Sequence, residues 1–103
     1  MNDTLWLVIL GFTVAVFSVS AFVDAEGLPP YGFTANMTPT APGVCACGPS
    51  YEFGVRFYSP ETGWLTCEDR GGLIGDGNLD VWMAEVEDMR QWGRQELAVV
   101  VVR

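Results

Sequence analysis

The hydrophobic residues of this 103-residue chain are concentrated in one largely apolar run, which is followed by segments in which apolar and polar positions alternate. The run covers residues 5–23 and contains no charged side chain. As a helix it would measure about 28 Å, close to the ~30 Å hydrocarbon core of a bilayer. Residues 1–24 are therefore predicted to form an apolar helix. The helix would be either a membrane anchor or a signal peptide cleaved near Ala25, and the sequence leaves both open.

Beyond a predicted linker at residues 25–30, the alternation indicates a mostly β domain over residues 31–103. Strands are predicted at 31–37, 52–58, 64–68, 79–83 and 97–102, with a loop over most of 38–50. Turn chemistry at 59–63 joins two of these strands into a hairpin. The period changes to helical at 84–92, and Gly93 is placed to cap that helix. We thus expect one small β domain with a single late helix.

The charge balance and the composition exclude several classes of function. The chain has 13 acidic and 5 basic residues and no histidine. Nucleic-acid binding is not expected, because a phosphate-binding surface needs clustered Lys and Arg. The lack of histidine excludes Ser–His and Cys–His nucleophile pairs and most zinc sites. No cofactor or metal is predicted, and any catalysis must use carboxylates, Tyr or Cys.

The three cysteines, Cys45, Cys47 and Cys67, lie outside the apolar run. In an oxidising compartment, one disulfide from Cys67 to either Cys45 or Cys47 is expected, which leaves one free thiol. A structural disulfide worth ~2–4 kcal/mol would matter in a domain this small.

Residues 69–80 form the segment that is most suggestive of chemistry. They contain Asp69, Asp76 and Asp80 together with four glycines and Asn78. Glycine allows tight turns and close approach to a ligand. Between the glycines, Leu73 and Ile74 are expected to anchor the loop to a core. The pattern predicts a rigid turn that holds Asp69 and Asp80 in fixed positions.

Several segments together resemble the 3D (Asp-Asp-Asp) domain, which occurs in lytic transglycosylases of the MltA type and in stationary-phase cell-wall enzymes of bacteria. The resemblance covers about residues 31–102. Its most specific part is an Asp-x-Gly-Gly-x-Ile motif followed by an aspartate eleven residues after the first. The segments that carry it are Phe33-Thr34-Ala35, Phe53-Gly54, Glu68-Asp69-x-Gly71-Gly72-x-Ile74, Leu79-Asp80-Val81 and Trp92-Gly93-Arg94.

The resemblance implies a six-stranded double-psi β-barrel that cleaves the β-1,4 bond between N-acetylmuramic acid and N-acetylglucosamine in peptidoglycan and leaves a 1,6-anhydro product. By position, Asp69 matches the catalytic aspartate of that family and Asp80 a second aspartate at the groove. A single carboxyl group can catalyse this cleavage if it first donates a proton to the leaving oxygen and then recovers one from the attacking 6-hydroxyl. A neighbouring carboxylate raises the pKa of that group and so helps it stay protonated. We therefore predict that Asp69 is the acid/base and that Asp80 tunes or orients it.

Further residues follow from this prediction. The groove is expected to bind substrate through the loop residues and through aromatic rings that stack on sugars, with an ordinary core position as the alternative for each ring. Arg70 replaces the usual Thr of the motif, and a cation beside the acid would favour the ionised form, which cannot donate a proton. The predicted substrate-binding residues are Gly71, Gly72, Asp76, Asn78, Trp64, Trp82 and Tyr31.

Two other interpretations stay open. Asp76, Asn78, Asp80 and Glu87 match the ligand spacing of a calcium-binding EF-hand loop, but the required glycine is replaced by Val81. A non-catalytic barrel that only binds peptidoglycan is the main alternative to an enzyme. In both of the peptidoglycan interpretations the partner is the glycan strand and the location is the cell envelope outside the cytoplasm, with membrane attachment through residues 5–23 or secretion after signal cleavage. A host enzyme and a phage lysis protein fit equally well.

Overall fold

The structure is a computed structural model that describes residues 7–9, 12–24 and 32–103. The predicted linker at 25–30 and Tyr31 lie outside the described residues. Within them, the chain forms strands and one short helix in the following order: β1 (Leu7–Ile9), β2 (Phe12–Phe22), β3 (Val44–Cys47), β4 (Arg56–Ser59), β5 (Gly63–Asp69), β6 (Asn78–Trp82), α1 (Val86–Trp92) and β7 (Gln95–Val102).

Six of these strands close into a barrel. Their order is β2-β6-β3-β5-β4-β7, and β7 pairs back with β2. Strand β1 adds to β2 outside the ring as an antiparallel neighbour. The pairs β2–β6 and β3–β5 are parallel, while the other four pairs in the ring are antiparallel. The prediction of a small, mostly β barrel with one late helix is thus confirmed.

The connectivity of the ring has an internal two-fold relation. If β2, β3 and β4 are exchanged with β5, β6 and β7 in that order, every neighbouring pair becomes another neighbouring pair of the same ring. The two parallel pairs exchange with each other, and the pairs β3–β6 and β4–β7 map onto themselves. The two halves of the barrel therefore interlock with equivalent topology.

The N-terminal apolar run was wrongly predicted as a helix. Residues Phe12–Phe22 form β2, whose register with β7 runs from Phe12 opposite Val102 to Val19 opposite Gln95. Its buried side chains alternate with more exposed positions, and the strand is rich in β-branched residues, which favour a pleated surface. Among the described residues, no helix is long and apolar enough to cross a membrane.

The barrel interior is filled with apolar side chains. Phe17, Phe57, Leu65 and Leu79 are almost fully buried. The rings of Phe17 and Phe57 meet edge to face with centroids 5.7 Å apart, a favourable arrangement for an aromatic pair. A barrel of this size is a packed core with no channel, so ligands must bind on its outer surface or at its rims.

Strand β3 was missed in the sequence, because it lies in a segment rich in Pro and Gly that was predicted as loop. All four of its residues, Val44–Cys47, are buried between β5 and β6. The predicted strand at 31–37 is instead a turn, with a single bridge between Phe33 and Pro39 among its described residues. Strand β4 also starts later than predicted, at Arg56.

The remaining elements agree with their predictions. The turn between β4 and β5 ends at Gly63, whose φ of 71° is favourable for glycine. Helix α1 ends where the N–H of Gly93 donates to the carbonyl of Met89. The Trp92 Nε1–H donates to the carbonyl of Val19 at 3.1 Å and attaches the end of the helix to β2.

The structure shows which of the two predicted disulfides forms. Cys47 and Cys67 form the disulfide, with their Cα atoms 5.7 Å apart, and join β3 to β5. Cys45 is free and buried. Burial, with smaller contributions from nearby carboxylates, raises the pKa of its thiol to about 12. A thiol with such a pKa is inert, so Cys45 belongs to the core.

Candidate functional site

Strand β3 places the two predicted aspartates on either side of one small residue. Ala46 is the register partner of Asp69 in β5 and also of Asp80 in β6. Their Cα atoms are therefore about 10 Å apart, since neighbouring strands lie ~4.8 Å from each other. Leu79 and Val81, on either side of Asp80, are buried in the core. Asp80 consequently points away from the core, on the same face as Ala46 and Asp69.

The carboxylate of Asp69 is fixed by backbone donors. Its Oδ1 accepts hydrogen bonds from the N–H of Ala35 at 2.8 Å and from the N–H of Arg70 at 2.9 Å. Next to this contact, the N–H of Asn36 donates to the carbonyl of Glu68 at 3.0 Å. The turn that follows Phe33 is thus held against the end of β5, and it orients the Asp69 side chain.

Asp80 is half-buried and is the carboxyl group best suited to retain a proton. Burial raises its pKa above the ordinary value for aspartate, and the charge of Asp69 adds to this effect. A hydrogen bond from Ser20 and the charge of Arg94 act in the opposite direction, but burial is the largest influence. The Ser20 hydroxyl donates to Asp80 Oδ1 at 2.9 Å. A carboxyl group with a raised pKa is the kind that general acid catalysis requires.

A cavity of about 300 Å³ lies beside Asp80. This volume is at the lower end of the ~300–1,000 Å³ typical of small-molecule sites, and it suits a group of the size of one sugar ring. Asp80 is in its wall, whereas Asp69 is not. The lining residues are Ser20, Ala21, Leu73, Ile74, Asn78, Asp80 and Arg94.

The glycine-rich loop forms one side of this cavity. Two tight turns shape it, one in which the N–H of Ile74 donates to the carbonyl of Gly71 and one in which the N–H of Asn78 donates to that of Gly75. Leu73 is 95% exposed, so the prediction that it anchors the loop to a core was wrong. A Cβ on Gly71 would meet Ile74 Cγ1 at 2.8 Å, and the shape of the cavity therefore depends on glycine at that position.

Asp76 connects the loop to the turn after β3. Its carboxylate accepts hydrogen bonds from the hydroxyl and from the backbone N–H of Ser50, and these two bonds lower the pKa of Asp76. Gly48 permits this contact, because a Cβ there would lie 2.5 Å from the Asp76 backbone nitrogen. The predicted substrate-binding role of Asp76 stays a prediction; its observed partner is Ser50.

Arg70 does not direct its charge at Asp69. Its guanidinium carbon lies 4.4 Å from the centre of the Phe53 ring, and Nη1 donates to the carbonyl of Cys47 at 3.3 Å. Only the backbone N–H of Arg70 contacts the Asp69 carboxylate. The Arg70 guanidinium therefore points away from Asp69 and lies against the disulfide and the Phe53 ring.

The two tryptophans predicted to stack on sugars lie at different distances from the aspartates. Trp82 lies two residues after Asp80 on the same strand face and donates its Nε1–H to Asp24 Oδ1 at 3.1 Å. Trp64 is 50% exposed but stands five residues from Asp69 along β5, about 17 Å away. It packs beside Tyr58 instead. Of these two tryptophans, only Trp82 is near the carboxylates.

The calcium interpretation does not match the observed contacts. Asn78 and Asp80 belong to strand β6, while Asp76 is bonded to Ser50 and Asp80 to Ser20. In the part of the chain that the structure describes, no group of three or more His, Cys, Asp or Glu side chains is placed to hold a metal ion.

Comparison with models of known protein families gave no match, and comparison with curated proteins gave none either.

Two residues of the site were not assigned in the sequence. Ser20 lay within the predicted helix, and Arg94 belonged to the Trp-Gly-Arg segment of the resemblance without a role. Ser20 is one of three hydroxyl residues in the run, with Thr13 and Ser18, and these polar positions were the signal that could have indicated it.

Proposed function

We propose that this protein is a double-psi β-barrel that binds peptidoglycan glycan strands and cleaves them by lytic transglycosylation. The observation that carries the proposal is the placement of Asp69 and Asp80 on either side of Ala46, with Asp80 beside a cavity of about 300 Å³. The resemblance of residues 69–80 to the 3D domain supplies the substrate class and the reaction.

The double-psi assignment is supported by the connectivity of the ring. Such a barrel contains two interlocked halves, each contributing to a parallel pair of strands. The exchange of β2–β4 with β5–β7, which maps the ring onto itself, and the parallel pairs β2–β6 and β3–β5 both favour this arrangement.

The reaction needs a single carboxyl group that is protonated at rest. Its O–H protonates the bridging oxygen, so that the N-acetylglucosamine side leaves as an alcohol. The 6-hydroxyl of the N-acetylmuramic acid residue then attacks C1, closes the 1,6-anhydro ring and returns its proton to the carboxylate. No water is consumed, and the carboxyl group is regenerated.

The geometry favours Asp80 as this proton donor. It carries the raised pKa, and it lines the cavity. Asp69, fixed by two backbone N–H groups, would supply the nearby negative charge that keeps the proton on Asp80. The assignment from the resemblance, with Asp69 as the acid/base, stays a prediction. The two assignments differ in which aspartate is indispensable.

The Cys47–Cys67 disulfide supports a location outside the cytoplasm, because such bonds persist in oxidising compartments. We accordingly propose that the barrel acts in the cell envelope.

The proposal is tested by incubating the full chain with purified peptidoglycan and analysing the released fragments by mass spectrometry. The full chain is required because β2 is a barrel strand. Fragments that end in anhydro-N-acetylmuramic acid are expected. Fragments with reducing ends would indicate hydrolysis instead. Binding to the insoluble polymer without any release would favour the non-catalytic barrel.

A further inference from the structure

The cavity beside Asp80 is also lined by a cationic side chain. Arg94 lies in its wall, in a chain whose formal net charge is −8. Arg94 directly precedes β7 and follows Gly93, which ends helix α1. The bond between Trp92 Nε1–H and the carbonyl of Val19 attaches this corner to β2. The position of Arg94 at the cavity is thus set by the packing of the helix end on the barrel.

Arg94 differs from the other arginines in its surroundings. Three of the five lie over aromatic rings, namely Arg56 on Trp64, Arg70 on Phe53 and Arg103 on Tyr51. Arg90 on α1 and Arg94 are both exposed, and of these two Arg94 is the one that lines the cavity. Arg94 shares its cavity with polar groups from Ser20 and Asn78 and with apolar groups from the glycine-rich loop. Such a mixture suits a sugar with a charged substituent better than a purely apolar ligand.

We propose that Arg94 binds a carboxylate carried by the substrate, so that the cavity selects an N-acetylated sugar with an acidic substituent over its neutral analogue. A guanidinium matches the planar geometry of a carboxylate and can bind it through two parallel hydrogen bonds. This inference rests on the proposed function for the identity of the sugar. The carboxylate would come either from the lactyl group of a peptide-free strand or from the stem peptide attached to that group.

Binding of such a carboxylate would also act on Asp80. The charge of Arg94 lowers the pKa of Asp80 and opposes the effect of burial. A substrate carboxylate paired with Arg94 offsets that charge, so the proton is held more firmly on Asp80 when substrate is present. Arg94 is therefore a positioning and specificity residue, which acts on the acid through charge.

The test is a titration of the full chain, followed by NMR, with three monosaccharides that isolate the carboxylate. N-acetylmuramic acid and N-acetylglucosamine differ by the lactyl ether, and the methyl ester of the former keeps its bulk without the charge. The acid is expected to bind roughly tenfold or more tightly than the other two, the factor that a charge-assisted hydrogen bond contributes. Arg94→Gln should abolish this preference and Arg94→Lys should retain part of it, while the matched control Arg90→Gln should leave it unchanged.

Comparison of peptide-free with intact glycan strands identifies the source of the carboxylate. Tighter Arg94-dependent binding to peptide-free strands than to intact ones indicates the lactyl group, and the reverse order indicates the stem peptide. Equal binding of the acid and its methyl ester, or an Arg94→Gln variant that binds like wild type, would overturn the inference.

The outcomes also separate this inference from the proposed reaction. Arg94-dependent binding without anhydro fragments would retain the carboxylate site and reject the catalysis. Anhydro fragments that an Arg94→Gln variant releases at the wild-type rate, with unchanged ligand preference, would retain the catalysis and reject the carboxylate site.

Discussion

Ser20 and Asp80 are register partners across the parallel pair β2–β6, and the Ser20 hydroxyl donates a hydrogen bond of 2.9 Å to Asp80 Oδ1. This contact joins the apolar N-terminal run to the candidate site. The segment that resembles a membrane helix in the sequence therefore supplies both a barrel strand and a direct partner of the carboxyl group that lines the cavity.

Removal of this partner should raise the pKa of Asp80. The hydrogen bond favours the charged form of Asp80 and so lowers its pKa. In Ser20→Ala this effect is lost, while burial and the charge of Asp69 continue to raise the pKa. A ¹³C NMR titration of the Asp80 carboxyl group should show its midpoint at higher pH in the variant. Ser18→Ala, on the same strand, is the matched control and should leave the midpoint unchanged. A lower midpoint in Ser20→Ala would contradict the geometry.

The stability of the protein should depend on pH through Asp80. Because its folded pKa lies above the unfolded value, the folded state binds more protons between the two pKa values. The free energy of unfolding contributed by this group therefore falls as pH rises through that window. Asp80→Asn removes the titrating group and should abolish this pH-dependent decrease. The free energy of unfolding of the variant should therefore increase relative to that of wild type between low and neutral pH. Urea unfolding at a series of pH values measures the difference, and a constant difference across the window would argue against a raised pKa.

The disulfide between Cys47 and Cys67 should be a major stabilising element. It closes a loop with a sequence separation of 20 residues, for which the chain-entropy relation gives about 3 kcal/mol. The Cys47→Ser/Cys67→Ser double variant should have a free energy of unfolding lower by about 3 kcal/mol, measured as a lower midpoint in denaturant unfolding. Reductant should weaken wild type to the same degree and leave the double variant unaffected. An effect of reductant on the double variant would show that another bond is involved.

Replacement of Arg94 should change the pH dependence of the reaction. Its charge lowers the pKa of Asp80, so Arg94→Gln raises that pKa in the free enzyme. If protonated Asp80 is the acid, the alkaline limb of kcat/KM moves to higher pH, because kcat/KM reports groups of the free enzyme. Arg90→Gln should leave the limb in place. A shift of the limb to lower pH in Arg94→Gln would contradict the role assigned to Asp80.

The sequence predicted those parts of the fold whose signals are local. Turn chemistry located the β4–β5 hairpin, and the change to helical period located α1 with its cap at Gly93. Strand β2 was missed because most of its outward positions are apolar as well; Phe12 and Val16 remain 42% and 44% exposed. Ser18 and Ser20 are the polar residues on that face, and two hydroxyls at one end of an apolar run do not reveal the alternation that marks a strand.

The site could be predicted only where its residues are close in sequence. Asp69 and Asp80 were found together because one glycine-rich loop connects them. Ser20 and Arg94 reach Asp80 through pairing of β2 with β6 and through the packing of the α1 corner, and both are long-range relations. Local patterns carry no information about such contacts, so neither residue was assigned a role.

If the aspartate pair performs glycan cleavage, the release of anhydro-muropeptides should depend on both carboxyl groups, which paired variants measure. Glu61→Gln, exposed in the distant β4–β5 turn, serves as the control. Asp80→Asn should abolish release while the protein stays folded, Asp69→Asn should reduce it, and Glu61→Gln should retain it. Loss in Asp69→Asn alone would return the acid role to Asp69. Wild-type release by both aspartate variants would show that neither carboxyl group takes part in cleavage.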